Sequence, residues 1–308
     1  MSGDAPRVSV VIPTHNRADV LAECLEGVLT QEGADFETVC VNDASTDATD
    51  DVLARYTERF PDRLRVARGA FGAPGLARNA GVAAARGRLL LFTDDDCTVP
   101  SGWIAEMLEL WRLRRSGVVA LSGGFAPYSM ETPTERYLHF RMAMLFGPRA
   151  KLIAAAPMMS FLVDRDAFEA ADGFPSSPMP ALEDWALCQR LRARGGALWY
   201  GPAVKVTHRY QREWGPALRR LQDTGRLGAA LCANRRERAA MLVKAALKLG
   251  SAPLWTPWFF PADLYAMALR AEWVFFKARA RALARPSEAV GGEAPGGGGR
   301  AGDPGDRV

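Results

Sequence analysis

The chain has 308 residues, of which 48% are hydrophobic and 24% are charged, and its formal net charge at pH 7 is +4. This composition can bury a sizeable core, either in one large domain with appendages or in two small domains. Five scattered cysteines without a CxxC pair argue against a disulfide framework or a structural zinc site, and they favour a reducing, cytoplasmic compartment.

The first part of the chain alternates between strand and helix patterns. Residues 1–7 are polar and no apolar run reaches about twenty residues, so neither a signal peptide nor a membrane-spanning helix is expected. The spacing of apolar residues predicts strands over 8–13, 36–41, 64–67, 88–92 and 118–121, and helices over 18–30, 45–59, 76–85 and 102–115. The second helix would be capped by Ser45 or Thr46. This alternation indicates an α/β fold with a largely parallel sheet.

Three adjacent carboxylates, Asp94, Asp95 and Asp96, follow the apolar strand over 88–92. Neighbouring carboxylates repel one another and are costly to desolvate, so such a cluster faces water, shares protons or holds a cation. A solvated acidic turn is the simplest interpretation. Because ligands of open α/β sheets bind at the carboxyl ends of strands, the position favours a divalent-metal and ligand site. If the segment is extended, Asp95 points away from its two neighbours.

The pattern changes after Gly123. The sequence predicts a loop and a helix within 126–150, strands over 157–163, 198–200 and 204–208, and helices over 183–194, 214–233, 238–249 and from Pro261 to 284. We expect a catalytic domain over residues 1–212, a basic amphipathic helical extension over 213–285, and a disordered Gly/Pro-rich tail over 286–308.

Six segments resemble the family 2 glycosyltransferases, which have a GT-A fold, a Rossmann-like mixed and mostly parallel sheet flanked by helices. They occur in the family's order: VSVVIPTHNR (8–17), VNDASTD (41–47), GLARNAG (75–81), LFTDDD (91–96), GF (173–174) and LEDW (182–185). The resemblance implies an inverting transfer of a sugar from a nucleotide-diphosphate donor, UDP-linked in preference to GDP-linked, to a hydroxyl acceptor. It further implies a saccharide or lipid-linked acceptor in bacterial cell-surface polysaccharide or glycolipid assembly, and no nucleic-acid partner.

The resemblance also implies roles for individual residues. Asp184 matches the general base, with Glu183 in support, and Asp96 matches the ligand of Mn²⁺ or Mg²⁺, joined by Asp94 and His208. The positions that match the donor site are Pro13, Thr14, Asn16, Arg17, Asp43, Arg78, Asn79, Asp94 and Asp95. The family commonly has a second acidic residue where Asn42 stands, which leaves Asp43 as the single strong acceptor for a base N–H.

Several of these positions also have a purely structural interpretation, and residues 14–17 could be an ordinary strand-to-helix turn capped by Thr14 or Asn16. Asp43 could be a helix N-cap, and Glu183 could be an acidic residue that stabilises a helix N-terminus through the helix dipole. Arg78 could be solvated on a surface helix, and His208 could be an ordinary residue at a strand end.

The rear of the chain is basic. Residues 205–285 carry a net charge of +11, whereas residues 1–204 carry −5. The aromatic segment 253–260 and its basic neighbours fit a peripheral contact, through residues 244–285, with the anionic inner face of the cytoplasmic membrane. The alternative is that these helices dock on the catalytic domain and expose their basic residues to solvent.

Two other functions compete with glycosyl transfer. A sugar-1-phosphate nucleotidyltransferase has a sheet related to that of the glycosyltransferases. It would require a glycine-rich loop after the first strand, and residues 13–17 contain no glycine. A non-catalytic nucleotide-sugar-binding subunit would not need Asp184. The sequence therefore favours a metal-dependent glycosyltransferase.

Overall fold

The computed structural model describes residues 7–230 and 264–284, together with residues 240, 243, 246–247 and 250–251. Among these residues the strands are β1 (Val8–Thr14), β2 (Phe36–Asp43), β3 (Leu64–Gly69), β4 (Leu89–Phe92), β5 (Cys97–Thr98), β6 (Val118–Pro127), β7 (Lys151–Ile153), β8 (Phe161–Asp164) and β9 (Ala197–His208). The helices are α1 (Ala18–Leu29), α2 (Thr49–Arg59), α3 (Pro74–Ala84), α4 (Trp103–Arg112), α5 (Pro133–Phe146), α6 (Arg165–Ala170), α7 (Glu183–Ala193), α8 (Trp214–Ala230) and α9 (Tyr265–Ala284).

The strands form one mixed sheet in the order β3-β2-β1-β4-β8-β6-β9-β5, with β7 paired to β9. Strands β3, β2, β1 and β4 are parallel because a helix crosses over between each consecutive pair. Strand β8 then pairs antiparallel to β4 and to β6. The α/β class and the mixed, mostly parallel sheet are confirmed, because β6 pairs parallel with β9 and both run in the same direction as β4.

Strand β1 is buried along its whole length and supplies side chains to both faces of the sheet. Val8, Val10 and Ile12 pack in the core under α1 and α4, whereas Val11 packs with Val82 of α3 in the core on the opposite face. This follows from the two-residue period of a strand, and it explains why β1 has apolar residues at the consecutive positions 10–12 rather than in alternation. The central strand thereby fixes the positions of the helices on both sides.

Gly81 allows α3 to lie close to the sheet. A Cβ atom at this position would come within 2.5 Å of Val11 Cγ1 and 2.9 Å of Val41 Cγ2. We expect Gly81→Ala to lower the free energy of unfolding by about 1–3 kcal/mol, because the added methyl overpacks a closed core. Urea denaturation measures the change.

The matched control is Gly215→Ala in the exposed first turn of α8, where the nearest atom is the flexible end of Arg219 at 3.6 Å. Alanine is the better helix former, so this variant should lose no stability. Equal losses in the two variants would contradict the packing argument.

The described rear helices dock on the rest of the protein. Leu221 of α8 and Ala268 and Ala271 of α9 are buried in one apolar cluster with Tyr137 of α5. Gly225 permits a close approach of α8 to α9, since a Cβ there would lie 2.7 Å from the Phe275 carbonyl oxygen. Within the described ranges, the packing of α8 and α9 against α5 agrees with the alternative that the rear helices dock on the catalytic domain. None of the described helices has the length and apolar character that a membrane span requires. The aromatic segment 253–260, most of the predicted helix 238–249 and the predicted tail 286–308 lie outside the described residues.

Three local predictions were wrong. Neither Ser45 nor Thr46 caps α2: the N-cap residue is Ala48, and the Thr49 amide is instead bound by Asp47 Oδ1 at 3.0 Å. The strand predicted to begin at Pro157 begins at Phe161, after a 3-10 turn over Met158–Ser160. Residues 197–208 form one strand rather than two, because a shift in the β6–β9 register between Gly123 and Gly124 accommodates the interior Pro202.

Candidate active site

The predicted site residues converge where the chain changes direction in the sheet. From β1 the chain builds outward to β2 and β3, then returns to place β4 on the other side of β1. Ligands of open α/β sheets bind at the carboxyl ends of strands at such a reversal. Residues 13–17 lie at and just after the end of β1, and the three aspartates follow β4, so the topology brings two distant motifs to one edge of the sheet.

The three aspartates form a tight turn between β4 and β5. The Cys97 amide donates to the Asp94 carbonyl oxygen at 3.1 Å, which closes the turn. The segment is not extended, so the condition under which Asp95 would point away from its neighbours is not met. Instead, Arg17 faces both following carboxylates, with Nε 3.8 Å from Asp95 Oδ1 and Nη2 3.7 Å from Asp96 Oδ2.

Asp95 and Asp96 differ in how readily they ionise. Burial raises the pKa of Asp95 to about 7, and the negative charge of Asp96 adds to this rise. Burial also opposes ionisation of Asp96, but the hydrogen bond and charge of His208 and the charge of Arg17 lower its pKa below the usual value. The Asp96 carboxylate is therefore the one prepared to bind a cation at neutral pH.

Arg78 connects the aspartate turn to the start of α7. Its guanidinium donates to Asp94 Oδ1 at 2.5 Å and to Glu183 Oε1 at 2.9 Å, and its side chain is 5% exposed. Burial alone would lower the pKa of Arg78, but the two carboxylates raise it above its usual value. The Phe174 ring lies 5.6 Å from the guanidinium carbon, and Gly75 leaves room for Glu183 against α3. Arg78 is therefore buried and paired with two carboxylates, so the alternative of a solvated residue on a surface helix is wrong.

Asp184 lies next to this bridge in the first turn of α7. The preceding residue, Leu182, has a left-handed backbone with φ of 67°, and the Trp185 amide donates to Asp184 Oδ1 at 2.7 Å. Burial raises the pKa of Asp184 to about 7, with a further rise from Glu183. A carboxylate that titrates near neutrality is suited to general-base work.

Three potential metal ligands cluster beside the aspartate turn. The ligand atoms of Asp96, Cys97 and His208 all lie within 4.8 Å of one another, and His208 Nε2 is 3.4 Å from Asp96 Oδ1. The other ring nitrogen, His208 Nδ1, is buried and has no hydrogen-bond partner among the described residues. A carboxylate and an imidazole in a partly buried turn fit a divalent cation. Asp94, also predicted as a ligand, is instead paired with Arg78.

The end of β2 shapes a neighbouring loop. Asp43 Oδ1 accepts from the amides of Phe71 and Gly72 at 2.5 and 3.0 Å, so Asp43 does not cap α2. Asn42 donates to Asp50 and accepts from the Ser45 amide. A cavity of about 260 Å³ opens beside these residues, lined by Asn42, Ala44, Ser45, Asp50, Arg68, Gly69 and Ala70.

Two predicted donor-site residues are engaged with backbone groups. Asn16, with φ of 52°, accepts from the Thr46 amide at 2.7 Å and thereby joins the loops that follow β1 and β2. Asn79 both donates to the Phe174 carbonyl and accepts from the Phe174 amide, at 3.0 and 3.1 Å. Pro13 and Thr14 are buried at the end of β1. These side chains hold the loops of the site in position.

Sequence reasoning missed two residues near the site. Arg220 of α8 carries a positive charge that acts on both Asp96 and Asp184, so the basic rear of the chain reaches the acidic edge of the sheet. The net charge of +11 on residues 205–285 was the sequence feature that could have indicated this electrostatic effect. Cys97 received no role, although it directly follows the aspartates.

Comparison with known families identifies a match over half of the chain. The family described as Glycosyl transferase family 2 matches residues 9–168. Among curated proteins, the chain is 36% identical over 161 residues to a poly(ribitol-phosphate) beta-glucosyltransferase of Bacillus spizizenii, covering 49% of this chain and 25% of that protein. It is 27% identical over 168 residues to the putative teichuronic acid biosynthesis glycosyltransferase TuaG of Bacillus subtilis, covering 54% and 65%. The chain thus spans between a quarter and two thirds of these relatives.

Solved structures share the fold over most of the chain. A mannosyltransferase from Pyrobaculum calidifontis, in complex with GDP-Man and Mn²⁺, superposes with a TM-score of 0.63 at 20% identity, covering 91% of this chain and 88% of that one. Residues 1–349 of TarS from S. aureus, in complex with UDP-GlcNAc, superpose with a TM-score of 0.57 at 16% identity, covering 90% and 88%. At these identities the likeness establishes the fold, which is that of GT-A glycosyltransferases.

Proposed function

Because the chain belongs to the family 2 glycosyltransferases, we propose that it transfers a sugar from a nucleoside diphosphate donor to an acceptor hydroxyl with inversion at the anomeric carbon. The Arg78 bridge is the observation that carries this proposal. It brings Asp94, on the donor side, and Glu183, beside the candidate base, to a single guanidinium. Direct displacement needs the base on the face of the sugar opposite the leaving group, and a bridge between the two sides of the cleft supports that placement.

Asp184 is the proposed general base. An ionised carboxylate accepts the proton of the acceptor hydroxyl as its oxygen attacks the anomeric carbon. Glu183 positions Asp184 through the Arg78 bridge and raises its pKa. Arg17, close to Asp95 and Asp96, has a guanidinium that suits the donor diphosphate.

Asp96 and His208 are the proposed holders of Mn²⁺ or Mg²⁺. When bound, the ion supplies positive charge that stabilises the departing nucleoside diphosphate. The neighbouring Asp95, which is largely protonated below neutral pH, adds little charge there and is available to hydrogen-bond the donor.

The chemical classes of the donor and the acceptor are inferred from relatives and from neighbouring structures. A saccharide or lipid-linked acceptor in cell-surface polymer assembly is supported by relatives whose names refer to poly(ribitol phosphate) and teichuronic acid. Neighbouring structures hold GDP-Man and UDP-GlcNAc, and we propose UDP as the first nucleotide to test. Peripheral contact of residues 244–285 with the inner face of the cytoplasmic membrane stays a prediction, with binding to anionic liposomes as its test.

A screen of nucleotide sugars for nucleotide release with Mn²⁺ tests the reaction, and NMR of the product with an acceptor gives its anomeric configuration.

A matching test of binding uses thermal shift with UDP or GDP and Mn²⁺. The pair should stabilise the native chain by about 2.7 kcal/mol at a hundredfold excess over Kd. We expect Asp96→Ala to lose the increment that Mn²⁺ adds. Glu109→Ala, on the exposed face of α4, should retain it. A full Mn²⁺ increment in Asp96→Ala would refute the metal assignment.

The activity should fall as the pH decreases through neutrality. Asp184 accepts a proton only when ionised, and its pKa of about 7 means that the ionised fraction falls about tenfold per pH unit below 7. A profile of kcat/KM against pH should therefore rise to about pH 7 and then level. Since the pKa of Asp95 is also about 7, Asp95→Asn is the control. Loss of the acidic limb in that variant would assign the titration to Asp95 instead.

A further inference from the structure

Cys97 lies against the proposed cation site, and the reaction described above gives it no role. Strand β5 pairs antiparallel with β9, and Cys97 is directly opposite His208. Residues directly opposite in an antiparallel pair have side chains on the same face of the sheet, close together. Cys97 Sγ is 4.0 Å from Asp96 Oδ1, and the sulfur, carboxylate and imidazole ligand atoms lie within 4.8 Å of one another.

These three donors differ in the cations that they prefer. Carboxylate oxygen suits hard cations such as Mg²⁺ and Mn²⁺, and imidazole suits borderline ones. A thiolate selects softer ions and is a common ligand of Zn²⁺. An added sulfur donor would therefore allow the site to bind softer cations than a site with only oxygen and nitrogen donors favours.

The burial of Cys97 alone does not distinguish it from an ordinary core cysteine. It is 1% exposed, as is Cys24 on the neighbouring helix α1. Both cysteines also belong to the same apolar cluster, but the polar groups nearest the two thiols differ. Cys24 Sγ donates to the Asp94 backbone carbonyl at 3.4 Å, whereas Cys97 Sγ faces the side chains of Asp96 and His208. His208 also has a buried ring nitrogen without a partner among the residues that the structure describes.

We propose that Cys97, Asp96 and His208 form a three-donor site for a thiophilic divalent cation such as Zn²⁺. The roles of Asp96 and His208 rest on the proposed function, and the sulfur donor is the new element. One metal–sulfur bond forms, and the thiol proton is released to solvent as the ion binds.

Titration of the full-length chain with Co²⁺, without nucleotide, tests the proposal. Sulfur ligation should produce a near-ultraviolet sulfur-to-cobalt charge-transfer band that Zn²⁺ abolishes by displacing Co²⁺. The band should be absent in Cys97→Ser and retained in Cys24→Ser and in Cys232→Ser. If Cys97→Ser fails to fold, cadmium NMR of the unaltered chain reports whether sulfur is a ligand, and retention of that signal in Cys24→Ser and Cys232→Ser excludes those two cysteines as the donor.

The proposal is overturned if Co²⁺ binds without the band, if the band survives in Cys97→Ser, or if Co²⁺ does not bind at all. Nucleotide release with Mn²⁺, measured on the same preparation, reports the transfer reaction separately. Turnover without a sulfur band overturns the three-donor site and leaves the proposed reaction in place. A sulfur band without turnover supports the three-donor site and counts against the proposed reaction.

Discussion

Asp184→Asn is expected to lower kcat by about 10²- to 10⁴-fold, which is the range that a positioned general base contributes. An asparagine amide can keep the hydrogen bond from the Trp185 amide, so the start of α7 should be undisturbed. It cannot accept a proton from the acceptor hydroxyl. The predicted loss therefore affects the chemical step, and it is measured as nucleotide release in the presence of saturating acceptor.

Donor binding should separate this effect from misfolding. The stabilisation of Asp184→Asn by UDP or GDP with Mn²⁺ should equal that of the unaltered chain. Asp166→Asn is the matched control, because Asp166 also lies in the first turn of a helix, α6, but is exposed. It should keep its activity. Turnover that persists in Asp184→Asn would exclude Asp184 as the base.

Arg78→Met is expected to lower the free energy of unfolding by about 3–5 kcal/mol, since it removes the shared partner of two carboxylates and leaves them uncompensated. Glu183 is the more buried of the two, with a side chain 9% exposed against 25% for Asp94. Methionine retains much of the packing against Phe174. The loss is therefore mainly electrostatic, and chemical denaturation measures it.

Two comparisons identify the cause. Arg68→Met breaks an exposed ion pair with Asp50, whose side chains are 56% and 53% exposed, and should cost at most about 1 kcal/mol. Adding Glu183→Gln to Arg78→Met should recover part of the loss, because it removes the more buried uncompensated charge. If the double variant is less stable than Arg78→Met alone, uncompensated charge is not the reason for the loss.

The longer elements of the fold were predictable because their apolar residues follow a clear period. Strands β1 and β2 and helix α1 begin at the predicted residues. Strands β5 and β7 were missed because two or three residues contain too little periodicity to be recognised. The α2 cap was wrong for a different reason. Asn16, some thirty residues earlier, donates its backbone amide to the Ser45 hydroxyl and accepts from the Thr46 amide with its side-chain oxygen.

The residues of the candidate site could be predicted where they belong to a short sequence motif. They were harder to predict where residues distant in the sequence come together only in the folded chain. The aspartates, Asp184 and His208 were identified from local patterns and resemblance. The contacts of Arg78 with Glu183 and of Asn79 with Phe174 join residues 105 and 95 positions apart, and a single sequence gives no spacing rule for such pairs. The charge of Arg220 at the site depends on how α8 docks, which the sequence left open between two alternatives.

The Arg78 bridge has a consequence for the order in which the chain matures during its synthesis. Arg78 leaves the ribosome 105 residues before Glu183, which at about 5–20 residues per second is a delay of roughly 5–20 s. During that interval Asp94, only 16 residues away, is the partner within reach. Helix α7 then closes over a guanidinium that is already paired with one carboxylate, so the nascent amino-terminal sheet presents the remaining N–H donors of Arg78 as a docking point until the carboxylate of α7 arrives.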